Sequence, residues 1–379
     1  MPSPDRQAGS RSRTIERASA ILEIDLNAVV ANWRFLCDRL APGARCAAVV
    51  KANAYGLGMN EVAPVLAKAG CKTFFVATLE EGLALRRLLP RAQIAVLNGL
   101  VMGPPADFAK AALLPVLNDL GQVRQWSGYA RPRGGAPAML HLDTGLGRLG
   151  LPPSEQEELR VEPDLLKGFK LALVLSHLSC ASEPAHPMNG EQLAAFRAAL
   201  RLLPRAPASL AASSGIFLGA DFHFDMVRAG AAIYGVNPLP GRPNSMKQVI
   251  HLKARILQVR DIDRGEAVGY GAAHRMDRAG RIATIAMGYA DGWLRSSSHR
   301  GTVRIAGKPA PVIGRISMDL LTIDVTGLDP HDVQPGAYAD LLDDRYGVDD
   351  AAAAAQTIGY EILTALGHRS LRLYRGGIS

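Results

Sequence analysis

The sequence predicts an α/β fold, with an N-terminal (β/α)8 barrel of the TIM type followed by a mostly β C-terminal domain. Two observations predict it. Before residue 236, eight short apolar runs alternate with longer amphipathic stretches. After "NPLPGRPNS", residues 237–245, helical periodicity gives way to β-rich runs punctuated by Gly and Pro. A length of 379 residues also exceeds what one hydrophobic core usually organises.

The eight runs are "CAAVV" (46–50), "TFFVA" (73–77), "QIAVL" (93–97), "LLPVL" (113–117), "AMLHLD" (138–143), "LALVLS" (171–176), "SLAASS" (209–214) and "AAIYG" (231–235). Brief, continuously apolar segments suit parallel strands covered on both faces. Stretches such as "LEEGLALRRLL" and "NGEQLAAFRAALRLL" supply the helices between them. An open doubly wound sheet fits less well, because no GxGxxG opens a helix. The barrel is therefore expected over residues 20–245, behind a disordered leader at 1–19. The β domain is expected over 246–379, with strands in "IHLKARILQV", "GRIATIAMG", "GTVRIAG" and "LLTIDVT". Near the end, "AAAAAQTIGYEILTALG" reads as one helix.

A composition of 48% hydrophobic and 21% charged residues excludes disordered and fibrous classes. The net charge of +8 comes mostly from arginine, with no basic block interleaved with aromatics, so nucleic acid is not an expected partner. Cys37, Cys46, Cys71 and Cys180 have no CxxC spacing and read as reduced thiols, with no metal site. "MPSPDRQAGSRSRTIER" is followed by no apolar h-region, and no run reaches the ~18 apolar residues of a membrane span. These observations predict a cytoplasmic protein without a membrane partner.

Function turns on "CAAVVKANAYGLGMNEV", residues 46–62, where Lys51 directly follows an expected strand. Strand C-termini face the active site of a barrel. An amine against apolar walls has a depressed pKa, and a neutral amine forms a Schiff base with a carbonyl. A lysine snorkelling from a strand end looks the same. The segment alone leaves both readings open.

"VVKANAYGLG" resembles the pyridoxal-phosphate attachment motif of alanine racemases, with Lys51 and Tyr55 at its lysine and tyrosine positions. Further stretches resemble the same family, in its order: "LDTGLGRLG", "LSHLSCAS", "AASSG", "FDMVRAGAAIYG", "VGYGAAHR", "AMGYADGW" and "IGRISMD". The likeness covers roughly residues 20 to 376, in both expected domains.

The resemblance implies a barrel holding pyridoxal 5'-phosphate on Lys51, with alanine as substrate. Tyr55, Tyr374, Ser214 and the amides of Gly230 and Ala231 would hold the phosphate. His177 would lie against the ring, and Arg228 would face its nitrogen. Lys51 would serve one face of the substrate, while Tyr270 of the partner subunit would serve the other in a homodimer. Arg148 and Met318 would contact substrate, and Tyr289 and Asp319 would shape the entrance. The product would be D-alanine for cell-wall peptidoglycan.

Two positions depart from the family pattern. Where many members carry a carbamylated lysine that steadies the arginine, this chain has His141, which supplies no anion. Ser213 stands where asparagine is common. A barrel-type decarboxylase would place an acid at the pyridine nitrogen, which Arg228 argues against. A single-barrel pyridoxal-phosphate carrier would lack the β domain bearing Tyr270.

Overall fold

The computed structural model describes residues 15–377. Within this span the chain separates into two units, Asn27–Lys247 and a second made of Gln248–Gly377 with the segment ending at Leu26. The leader is thus only partly covered: residues 1–14 lie outside the described span, while residues 15–17 form a helical turn.

The first strand, β1 (Ala20–Asp25), belongs to the second unit and not to the barrel in which residues 20–26 were expected. It pairs antiparallel with Ile250–Ile262 and parallel with Leu371–Arg375. Its residues are almost wholly buried, Glu23 included, whose carboxylate pairs with Lys253 and Arg375.

The barrel strands are β2 (Arg45–Val49), β3 (Thr73–Val76), β4 (Gln93–Val96), β5 (Leu114–Leu117), β6 (Pro137–His141), β7 (Lys170–Leu175), β8 (Ala208–Ser209) and β9 (Met226–Ala229). All their pairings are parallel, in the order β8-β7-β6-β5-β4-β3-β2-β9. A parallel bridge between Ala212 and Arg228 joins the two ends of that row. Inside and around it, Phe74, Phe75, Phe108, Trp126 and Phe196 are fully buried. Each such side chain contributes about 1.5–3 kcal/mol by leaving water.

Two expected strands shift. The closing strand is Met226–Ala229, whereas "AAIYG" forms a 3-10 turn at Ala231–Tyr234. Periodicity does not separate a buried turn from a buried strand, since both are continuously apolar. "SLAASS" contributes only Ser209 to the strand Ala208–Ser209 before turning at Ser213.

The second unit is a mostly antiparallel sheet. The 13-residue strand Ile250–Ile262 pairs with Tyr338–Leu342 on one side and with Gly280–Ile285 along its later half. Thr302–Ile305, Lys308–Ile313 and Leu321–Asp324 complete the circuit. The alternating burial of Ile250–Ile256 is that of a strand with one face on a core. The expected terminal helix is two, Val348–Ala354 and Gly359–Ala365, because Gln356 adopts φ 57° between them. A positive φ cannot continue a right-handed helix.

Candidate functional site

Lys51 leaves β2 at its C-terminal end, half-buried. The ladder ends as Val50 donates its amide to Phe75 O at 2.9 Å. The next four residues, Ala52, Asn53, Ala54 and Tyr55, all have φ between 52° and 55°, making one turn of left-handed helix without a glycine. Such a conformation costs about 1–2 kcal/mol per residue and persists only where bonds over-determine it. Here Ala54 N donates to Val50 O, Gly56 N to Ala52 O and Gly58 N to Asn53 O. The Asn53 side chain accepts from Met59 N at 2.8 Å. Burial and the charge of Arg148 push the Lys51 amine below the usual lysine range, with Glu81 opposing them.

Arg228, at the start of the parallel bridge that joins the row, is buried. Its guanidinium donates to Ser209 O (3.0 Å), Ser209 Oγ (2.6 Å) and Ser176 O (2.6 Å), and stands 3.3 Å from His177 Nδ1. Burial brings its pKa down to about 10, which still leaves it charged at neutral pH. Burial, with Arg228 and Arg148 adding to it, pushes His177 down to about 3, so this ring is neutral.

His141 ends β6, and its Nδ1 lies 2.8 Å from Asn118 Oδ1. The Asn118 amide donates to Leu97 O and Val116 O, so its oxygen faces the ring and His141 Nδ1 carries the proton. Burial and Arg228 push His141 down to about 4, so it bears no charge toward Arg148. Arg148 instead sits on a loop fixed by Asp143, whose carboxylate accepts from Gly145, Leu146 and Gly147 amides at 2.9–3.2 Å. Its exposed guanidinium makes no hydrogen bond or ion pair among the described residues.

A third group makes an anion cradle. The Tyr55 and Tyr234 rings lie 4.7 Å apart, and Tyr234 Oη donates to Val49 O. A Cβ on Gly230 would come within 2.5 Å of Tyr55 Oη, so only glycine admits the hydroxyl there. Ser213 Oγ accepts from Gly230 N (2.9 Å) and Ala232 N (3.3 Å). The Gly230 amide expected on the phosphate is therefore committed to Ser213. The Ala231 amide lies between the two and takes no acceptor among the described residues. Ser214, half-buried, opens the adjacent turn. A phosphate placed by Tyr55, Ser214 and Ala231 and a ring between Lys51 and the Arg228–His177 pair fit this donor set.

The remaining candidates belong to the second unit. Tyr270 is 73% exposed on a turn with Gly269 and Gly271 at positive φ. That turn packs on Gly314–Arg315: a Cβ on Gly271 would lie 2.9 Å from Arg315 Nη1. Arg315, in "IGRISMD", thus lies against Gly271, the residue after Tyr270, a neighbour that sequence spacing did not reveal. From there the chain runs to Met318 and Asp319. Tyr289 and Ala290 donate their amides to Ser317 O and Met318 O, and Asp319 accepts from Arg369 at 2.8 Å. Tyr270, Tyr289, Met318 and Asp319 are therefore on connected turns. Tyr374 lies in Leu371–Arg375, opposite Ile24.

The same chain matches two family models, "Alanine racemase, N-terminal domain" over residues 24–238 and "Alanine racemase, C-terminal domain" over 249–374. It is 49% identical over 363 residues to an alanine racemase of Rhodospirillum rubrum, covering 95% of this chain and 97% of the relative. It is 46% identical to a catabolic alanine racemase of Mesorhizobium japonicum, covering 95% and 94%. Among solved structures, an alanine racemase from Bartonella henselae with covalently bound pyridoxal phosphate superposes with TM-score 0.91 and 42% identity, covering 94% of this chain and all of that one.

Proposed function

The chain belongs to the alanine racemase family, isomerases that depend on pyridoxal phosphate, and from that premise we propose a two-base exchange of the α-proton of alanine, interconverting its L and D forms. When bound, the cofactor supplies an aldehyde for covalent attachment and a ring that withdraws electrons from the substrate α-carbon. Everything else is the work of this chain.

Lys51 would hold the cofactor and would take or return a proton at one face of the substrate α-carbon. The depressed pKa of its amine favours the neutral form that a base requires. Tyr270 of the partner subunit serves the opposite face. Arg228 donates toward the ring nitrogen and keeps that nitrogen unprotonated, which limits electron withdrawal and disfavours side reactions. His177 packs on the ring as a neutral imidazole. Tyr55, Ser214, Ala231 and Tyr374 hold the phosphate. Arg148 and the Met318 amide hold the substrate carboxylate, with Tyr289 and Asp319 at the entrance. The working form is a homodimer in the cytoplasm, and its D-alanine serves cell-wall peptidoglycan.

The observation that carries this reading is the Arg228 guanidinium, fixed by Ser209, Ser176 and His177 at the end of the barrel that bears Lys51. It also speaks against a decarboxylase, which needs an acid there. The test is a racemisation assay across small L-amino acids, paired with borohydride reduction and mass mapping of the cofactor adduct. Alanine turnover with the adduct on Lys51 is expected. An adduct on another lysine contradicts the assignment.

A further inference from the structure

Glu81 was not among the residues singled out by motif, yet it touches the turn that carries Lys51. It sits in the first turn of the helix Leu79–Leu88, where Thr78 caps the Glu81 amide and Glu81 reaches back in a capping box. That box accounts for one of its contacts. The carboxylate does two further things. Its Oε1 accepts from the Ala52 amide at 2.6 Å, and its Oε2 accepts from the Ala77 amide at 2.8 Å.

Ala52 directly follows Lys51 and is the first residue of the left-handed turn. Ala77 directly follows β3, the strand paired with β2. One side chain therefore ties together the ends of two neighbouring strands where the reacting amine emerges. It is also an anion beside that amine: Arg148 and His177 are the other titratable or charged groups felt at Lys51, and Glu81 alone of these favours the ammonium.

We propose that Glu81 is a positioning residue for the reacting amine, holding the Ala52 amide so that the left-handed turn aims Lys51 and supplying the anion beside it. The proposal rests on Lys51 being the cofactor lysine. Its consequences are distinct from those of a helix cap. An amide at this position retains one acceptor oxygen but no charge, so the amine loses its counter-anion while the helix keeps a cap. Losing the anion lowers the Lys51 pKa further, and the pH limb of kcat set by that base in the substrate complex moves to lower pH. Losing the clamp misdirects the amine, which lowers kcat and leaves substrate binding unchanged.

The experiment compares holoenzyme carrying Glu81→Gln, Glu81→Asp and Glu81→Ala with wild type, after borohydride mapping has located the adduct in each. Five quantities are read: Tm, cofactor retained on dialysis, kcat and KM for L-alanine, and the pH limb of kcat. For Glu81→Ala a fall in kcat of about tenfold or more is expected with KM within about twofold, together with faster cofactor loss. Glu81→Gln should shift the limb to lower pH, and Glu81→Asp should restore its position. If Glu81→Ala does not fold, the Gln and Asp variants decide. An adduct on Lys51 with an unmoved limb and unchanged kcat, even if Tm falls, reduces Glu81 to a helix cap and overturns the proposal. An adduct elsewhere in wild type overturns the Lys51 assignment, and the proposal with it.

Discussion

Both terminal nitrogens of Arg228 are engaged by Ser209, Ser176, Leu210 and His177, so it cannot swing away from the ring position without breaking several buried bonds. Arg228→Glu should lower kcat by about two orders of magnitude, the scale on which one preorganised electrostatic contact acts on a rate. It should also raise pyruvate formed per racemisation event, as the ring nitrogen gains a partner able to share a proton. Pyruvate yield and rate both at wild-type level would contradict a place at the ring. His141 gives a second prediction, with the sign set by linkage. Its pKa is about 4 in the fold against an ordinary 6.5, so the unfolded chain binds the extra proton. Its contribution to stability is whole above pH 6.5 and declines as pH falls toward 4, by about 3 kcal/mol in all. His141→Gln should lose less stability than wild type between pH 7 and pH 4 in denaturant titrations. Neutral His141 cannot carry a carbamate either, so racemisation should be indifferent to bicarbonate. Lys51, Arg228 and His177 were legible because each lies in a motif with its own chemistry. Asn118 was not, because it acts on His141 through a hydrogen bond spanning 23 positions and sits in a stretch with no pattern.

At the scale of elements, most barrel strands were readable from short apolar runs bounded by helices. The left-handed turn after Lys51 was not, because "ANAY" contains no glycine to mark positive φ. Bonds within the turn and the distant Glu81 carboxylate together hold that conformation. Ala52 is exposed, so a larger side chain there meets no packing obstacle, only the backbone. Ala52→Val should nevertheless cost about 1–2 kcal/mol, since a β-branched residue resists positive φ more than alanine does. A Tm equal to wild type would show that the turn is not held left-handed in solution. Ser213 is the corresponding device at the cradle. Ser213→Ala leaves the buried Gly230 and Ala232 amides without an acceptor and should cost about 1–3 kcal/mol, while Ser213→Asn should restore most of the loss. Denaturant midpoints for the pair test this. The misplaced eighth strand has the same root as the missed turn. A run such as "AAIYG" is buried whether it is extended or coiled, and the choice is made by Ser213 gathering the amides on either side of Ala231.

For the molecule as a whole, the order of a barrel followed by a β domain was legible, but the path of the chain between the two was not. Residues 20–25 join the second unit because their partners, Ile250–Ala254, lie some 230 positions later. No local pattern encodes a pairing at that separation. The placement of Tyr270 on an exposed turn of the second unit, with Lys51 at the end of a barrel strand, also means that no single sequence stretch carries both proposed bases. In the proposed two-base exchange a working site combines Lys51 of one copy with Tyr270 of another. The most direct measurement unfolds, mixes and refolds Lys51→Ala and Tyr270→Phe chains, each nearly inactive as a homodimer. Random pairing makes about half of the dimers mixed, each with one intact site of two, so about a quarter of wild-type racemisation should return. With mixed dimers verified by mass, no recovery of activity would contradict the shared site.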